Sequence, residues 1–424
     1  MVETPERDQI GAQALAWLEQ NWDPEFTVRE WWARLAESGW GFPTWPREWF
    51  GRGLPAESAA AVREAFTKVG ALGPPASLGQ LLGGPTLLTH ASDEQRARFL
   101  PALARGEEFW CQFFSEPSSG SDLASLRTRA VRRDDGWVVN GQKVWTSGAQ
   151  FADRGMLAAR TDPDVPKHRG ITYFIIDLDQ PGVEVRPLHQ MSGAHGFNEV
   201  FFTDAWVADD RIVGELGGGW AVATTTLMFE RFMTSLPSAS PGRHSAHLDL
   251  RAGDVADGKV KLEREGSPYA SASKVILDVA SRLGKTADPV TRGRLAALLL
   301  LERTNAYSGM RQADAVRAGR RPGAEGSARK ITRSNLARTA RDVGMDTLGA
   351  YGMLAGEDTP GGGAVQDIAL SSPGASIAGG TDEIQRNIIG ERVLGLPKEP
   401  RIDRDVPFRD LTVGTAETEK PDKP

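Results

Sequence analysis

The chain has 424 residues, 40% hydrophobic and 25% charged, with 50 basic against 56 acidic side chains and a net charge of −6. That length can bury a sizeable core in about two or three domains, and the ordinary globular composition argues against a disordered chain. The acidic balance argues against nucleic acid as a partner.

The first ten residues, MVETPERDQI, lack the basic and apolar regions of a signal peptide. The longest apolar run, residues 295–301, is too short to cross a bilayer, so a cytoplasmic protein with no membrane span is expected. A single cysteine, Cys111, allows no internal disulfide, and six scattered histidines show no ligand spacing. No metal site is expected.

Residues 8–109 predict helices: Ile10, Ala14, Trp17 and Leu18 repeat at helical spacing, as do Trp31, Trp32 and Leu35, then Ala61, Val62 and Phe66. Ser92 with Gln95 is a capping pattern that opens another helix. From Trp110 the texture changes to short strands, predicted at 128–132, 137–139, 155–159, 171–176 and 199–202, with Asp, Gly and Pro between them.

Within this β region lies Ser115-Glu116-Pro117-Ser118-Ser119-Gly120-Ser121-Asp122, a Gly/Ser turn whose hydroxyls and successive N–H groups suit an anion such as a phosphate. The stretch Val138-Val139-Asn140-Gly141-Gln142-Lys143-Val144 predicts a hairpin turning at Asn-Gly. Trp145 and Ser147 follow two apart on a strand, an indole and a hydroxyl on one face, which suits a flat heterocycle. A core aromatic is the plain alternative for Trp145, and a surface turn for the Gly/Ser loop.

Residues 162–169 read as a charged, solvated loop. Gly217-Gly218-Gly219 leads into a helix near Trp220, and residues 238–270 read as a long polar connection. Helical texture resumes at 271–283, 295–316 and 328–348, completing an antiparallel bundle. Gly284-Lys285-Thr286 is not a phosphate loop, because Val279 stands where the pattern demands glycine. The expected divisions are 1–109, 110–216, 217–399 and a mobile tail over 400–424.

Three stretches in register, Phe114 to Asp122, Asn140 to Ser147 and Gly379-Gly380-Thr381-Asp382-Glu383-Ile384-Gln385-Arg386, resemble the signatures of the acyl-CoA dehydrogenase family. The resemblance covers residues 10–398. It implies an α+β fold: an N-terminal helical domain, a central β-barrel-like domain and a C-terminal four-helix bundle. It further implies FAD as cofactor, an acyl-CoA substrate and an acceptor resembling electron-transfer flavoprotein.

By that resemblance, Phe114 and Ser115 contact the flavin ring, Gly120 and Ser121 meet FAD phosphate or substrate, Trp145 stacks on the isoalloxazine and Ser147 bonds near N5. Thr381 and Glu383 hold the ribityl-pyrophosphate part, and Arg231 meets CoA, with a structural cation as its alternative; apart from the resemblance, the Gly379 N–H suits the thioester oxygen as an oxyanion donor. Many members place a glutamate where this chain has Gly379. A subset similar to isovaleryl- and long-chain-acyl-CoA dehydrogenases carries the base within Leu-Glu-Arg on an earlier helix. Phe229-Glu230-Arg231 resembles that pattern, and Leu227 and Met233 put Glu230 on an apolar helical face, so Glu230 is the expected base.

Two further departures concern the neighbouring subunit. The family's Arg-x-x-Phe-Gly stretch is replaced by a turn-like segment at 288–294, and its Gln-x-x-Gly-Gly pattern by Asp346-Thr347-Leu348-Gly349-Ala350. Such changes resemble bacterial members assembled from two unlike chains that act on steroid-derived or other bulky CoA thioesters. The alternatives are a non-catalytic or FAD-poor partner subunit, or a flavin oxidase or hydroxylase on the same fold. The sequence does not choose between CoA and carrier-protein thioesters, or between a homo-oligomer and a hetero-oligomer with a second acyl-CoA dehydrogenase chain.

Overall fold

Side-chain periodicity and capping build the N-terminal helices. The computed structural model describes residues 4–233, 247–260, 272–317, 323–324, 326–398, 403 and 405–411. Helix α1 (Thr4–Asn21) packs on α3 (Ala59–Val69), and α2 (Val28–Ser38) starts in a capping box between Thr27 and Glu30 and stops at left-handed Gly39. Its Trp31, Trp32 and Leu35 form the buried stripe, and the two indole N–H groups donate to Leu72 O and Gly73 O at 2.7 and 2.9 Å. Helices α4 (Gly84–His90) and α5 (Asp93–Ala104) follow. The Ser92/Gln95 capping box forms as expected, and the Gln95 amide also donates to Asp210 O and Ile212 O, fastening α5 to the β domain.

Seven strands form one sheet: β1 (Trp110–Phe113), β2 (Arg129–Arg133), β3 (Gly136–Ser147), β4 (Arg154–Arg160), β5 (Ile171–Asp177), β6 (Val183–Leu188) and β7 (Phe197–Ala208). The order is β1-β4-β2-β3-β7-β6, with β5 also paired to β4. Each predicted strand is present. Strand β6 adds to those expected, and its half-exposed pattern and Pro187 suit a sheet edge rather than a core strand.

The expected Asn140-Gly141 hairpin is absent. β3 runs on as one strand, and the turn falls earlier at Asp134-Asp135, between the paired Arg133 and Gly136. Gly141 instead marks a register shift against β7, where a Cβ would come within 2.5 Å of the Thr128 hydroxyl. The Asn140 amide exchanges hydrogen bonds with Asp204, itself left-handed on β7, at this one-residue register shift. An Asn-Gly pair between β-branched residues signals a turn only when the flanking segments pair with each other. Here both pair with β7.

Helix α6 (Gly219–Met233) lies along β5, because Gly219 admits the backbone of Thr172 and Tyr173 within 2.5 Å of where a Cβ would stand. The expected polar connection at 238–270 is described only over 247–260. There it is pinned to the N-terminal domain: Leu248 and Ala252 are buried, Leu250 O accepts from Val28 N, and α7 (Ala252–Ala256) follows.

The C-terminal bundle comprises α8 (Ala272–Arg282), α9 (Pro289–Arg317), α10 (Gly326–Leu348) and α11 (Ala364–Ala375), with α12 (Asp382–Ile388) against α10. The segment expected as a turn at 288–294 opens α9 instead: Asp288 Oδ2 accepts from Thr291 N and Oγ1, and Pro289 occupies the first helical position. Residues 405–411 of the expected mobile tail pack on the 162–169 loop, with Phe408 N donating to Val165 O and Arg409 N to Pro163 O. Apolar and ionic contacts override a composition that reads as solvated. Among the described residues no helix is long and apolar enough to cross a membrane.

Candidate active site

The Gly/Ser loop rests on a buried ion pair. Lys143 is fully buried on β3 and its ammonium donates at 2.9 Å to both Phe114 O and Glu116 Oε1. The remaining capacity of Glu116 is filled by Thr128 N at 2.8 Å and Arg127 N at 2.6 Å. Burial alone would raise the Glu116 carboxyl, but Lys143 and these N–H groups outweigh it and hold it below the ordinary range; burial pushes the Lys143 ammonium down. A charged side chain inside a strand, 27 positions from an acidic one, carries no local signature of pairing.

Above that base the chain turns tightly, with Glu116 N and O bonded to Ser119 O and N. Ser119 Oγ donates to Asp122 O and Ser125 Oγ to Asp122 Oδ2, so these two hydroxyls are spent inside the loop. Gly120 and Ser121 stand exposed at the tip. The hydroxyls of Ser115, Ser118, Ser121 and Ser147 meet no hydrogen-bond partner among the described residues.

Trp145 is placed by a backbone irregularity. Val139 and Lys143 point inward from β3, and an unbroken alternation would bury Trp145 too. The register shifts between Lys143 and Thr146, Trp145 takes a left-handed φ of 63°, and its indole turns outward, 59% exposed. A bulky residue in that region costs about 1–3 kcal/mol, a strain the surrounding structure must sustain. Phe197 meets the indole edge-on at 5.9 Å, and buried Asn198 donates to Thr146 O at 3.1 Å and to Gln150 Oε1. Trp145 is therefore not a core aromatic. Thr146 is buried between exposed Trp145 and half-buried Ser147.

The loop, the strand and α6 share one packed region. Ser115 O accepts from Val144 N at 2.9 Å, one residue from the indole. Buried Phe114 sits edge-on to Tyr173 of β5 at 6.0 Å, and the Tyr173 hydroxyl bonds Thr226 of α6 at 3.2 Å. Phe114, Tyr173, Val222 and Ala223 belong to one apolar core, against which Leu227 and Phe229 pack. Glu230 is half-buried one turn beyond Thr226, at the end of this stripe. The side chains of Arg231 and Met233 lie outside the described residues.

The C-terminal motif belongs to another core. Gly379 and Gly380 both have left-handed φ, and the Gly379 carbonyl accepts from Gln385 Nε2 at 2.8 Å. Thr381 caps α12 by accepting from Ile384 N, and Glu383 is exposed and pairs with Arg386. Asp382 is buried between Lys330 and Arg338. Burial would raise its carboxyl, but the hydroxyl of Ser334 and these two cations bring it to about 2. The structure thus links Phe114 to the Glu230 helix through Tyr173 and Ser115 to the strand that carries Trp145, and leaves Gly379, Thr381 and Glu383 in the α8–α12 body. A shallow recess of about 290 Å³ lined by Trp206 and Arg211 lies nine residues along β7 from Phe197, roughly 30 Å from the indole end of β3.

Three domain models of one family match this arrangement in order: acyl-CoA dehydrogenase N-terminal domain at residues 7–107, middle domain at 111–205 and C-terminal domain at 279–394. The chain belongs to the acyl-CoA dehydrogenase family. Among its relatives, acyl-CoA dehydrogenase IpdE1 of Mycobacterium tuberculosis is 35% identical over 93% of this chain and 99% of its own length. Acyl-CoA dehydrogenase FadE34 of the same organism is 39% identical over 86% of this chain, which spans only 46% of that relative. The solved ChsE4-ChsE5 complex from M. tuberculosis superposes with a TM-score of 0.66 at 28% identity, covering 94% of this chain and all of that one. Members of the acyl-CoA dehydrogenase family are FAD-dependent flavoproteins and oxidoreductases. The N-terminal helical, middle β and C-terminal helical organisation expected from the sequence is the observed one.

Proposed function

We propose that the chain catalyses α,β-dehydrogenation of an acyl-CoA thioester with FAD, and that Glu230 takes the α-proton. The observation that carries this reading is the outward-turned Trp145 indole, held at a strained residue two positions from the unspent hydroxyl of Ser147, on the strand whose Val144 N–H bonds Ser115 O. An exposed flat ring next to hydroxyl donors fits a flat heterocycle, so the residues present suit FAD.

In this reading Trp145, Ser147, Phe114 and Ser115 are the residues that would hold the isoalloxazine, Trp145 by its flat face and Ser147 by its hydroxyl. Gly120 and Ser121 meet a phosphate of FAD or CoA, Thr381 and Glu383 hold the ribityl-pyrophosphate part, and Arg231 contacts CoA. FAD, when bound, supplies the hydride acceptor that side chains cannot provide. Glu230 accepts the α-proton at a carboxylate oxygen, and the Gly379 N–H polarises the thioester oxygen. An acceptor resembling electron-transfer flavoprotein would reoxidise the enzyme.

Oligomerisation is supported by the exposed apolar face of α9, where Leu300, Tyr307 and Met310 are each at least 60% exposed. A second reading, an FAD-poor subunit beside an unlike acyl-CoA dehydrogenase chain, is favoured by one specific observation. At the place of the family's FAD-clasping segment, Asp288 is spent capping α9 and Arg294 pairs with Asp346. The solved ChsE4-ChsE5 relative is itself a complex.

The test is a visible spectrum of the purified protein followed by anaerobic titration with a panel of CoA thioesters. Bleaching by one thioester identifies activity and substrate class, and Glu230→Gln abolishes it while keeping the bound-flavin spectrum. Bleaching retained in that variant removes Glu230 from the mechanism. A colourless protein that gains flavin only on mixing with a second chain decides for the heteromeric reading.

A further inference from the structure

The C-terminal segment reaches the Gly/Ser loop through one lysine. Lys167 is largely buried, and its ammonium donates to Asp122 Oδ2 at 2.9 Å, at the end of the loop, and pairs with Asp403 at 2.8 Å. Beside it, Phe408 lies on the guanidinium of buried Arg160 at 3.7 Å. That guanidinium donates to Lys167 O at 2.6 Å and to Ala124 O at 2.6 Å, the latter directly after the loop. An isolated bridge between Pro166 and Pro407 and a pairing of Arg409 with Asp164 fix the register of the segment.

We propose that Asp403 and residues 405–411 form a strap whose anchors, Phe408 on Arg160 and Asp403 on Lys167, set the position of the Ser118–Asp122 loop and thereby how tightly that loop holds its anionic ligand. The physical basis is cooperative. Lys167 satisfies both carboxylates at once, and Phe408 covers an Arg160 whose donors hold Ala124 O and Leu126 O in the turn that follows the loop, so loosening either anchor frees the loop without touching a ligand. Asp403 and Phe408 are positioning residues. The ligand part of the proposal rests on the acyl-CoA dehydrogenase reading above; the strap part does not.

Hydrogen exchange on the full chain tests the strap without any ligand. Phe408→Ala and Asp403→Asn are each expected to speed exchange of amides at 119–126 by about tenfold, with the α2 amides unchanged, and Asp403→Glu restores protection. Unchanged exchange at 119–126 in both variants overturns the strap. The same variants, assayed with the thioester that bleaches the wild type, are expected to raise KM about three- to tenfold with kcat unchanged, as loss of uniform binding requires. An equal fall in kcat, or KM unaltered while exchange rises, overturns the link to ligand binding. A wild type that no thioester bleaches overturns the acyl-CoA dehydrogenase reading alone, because the exchange arm still decides the strap.

Discussion

Replacing Lys143 by Met removes the foundation of the Gly/Ser loop while keeping side-chain volume. The ammonium lost is fully buried and serves two acceptors, Phe114 O and Glu116 Oε1. Breaking a buried pair by removing one partner costs about 3–5 kcal/mol. Glu116 keeps the N–H groups of Arg127 and Thr128, which continue to neutralise part of the stranded charge, so the lower end, about 3 kcal/mol, is expected. Adding Glu116→Gln removes the charge, but the new amide NH2 must face one of two backbone donors, so the double variant recovers only part of the loss. The assay is urea unfolding followed by tryptophan fluorescence at fixed flavin concentration, since bound ligand adds stability of its own. A single variant within about 0.5 kcal/mol of wild type, the range of an ordinary surface change, refutes the reasoning, as does a double variant less stable than the single one.

Trp145→Leu keeps an apolar side chain but removes the flat face, and is expected to weaken flavin retention by at least about tenfold, worth about 1.4 kcal/mol, measured by flavin fluorescence on dilution. Gly219→Ala places a methyl within 2.5 Å of the Thr172–Tyr173 backbone, which pushes α6 from β5 and lowers kcat for thioester-dependent bleaching. The Asp382 carboxyl is depressed to about 2 from an ordinary 3.8, so its contribution is complete above the ordinary value and disappears as pH falls towards 2. The stability gap between wild type and Asp382→Asn, followed by unfolding at several pH values, is therefore expected to narrow as pH drops from about 4 to about 2.

The sequence alone determined the order of helical and β regions, the Ser92 cap and each predicted strand, because these depend on local periodicity and on capping residues next to the elements they cap. It also determined the family, since three stretches in register carry that information whatever their folded positions. Only the tertiary structure decided the path of β3. Asn140-Gly141 satisfies a hairpin rule locally, yet pairing with β7 continues the strand, and a second irregularity turns Trp145 outward where alternation would bury it. The Glu116–Lys143 pair and the anchoring of Phe408 were equally illegible, because each joins residues distant in sequence, and the charged members, Glu116, Lys143 and Arg160, read as solvated until burial forces them to find partners.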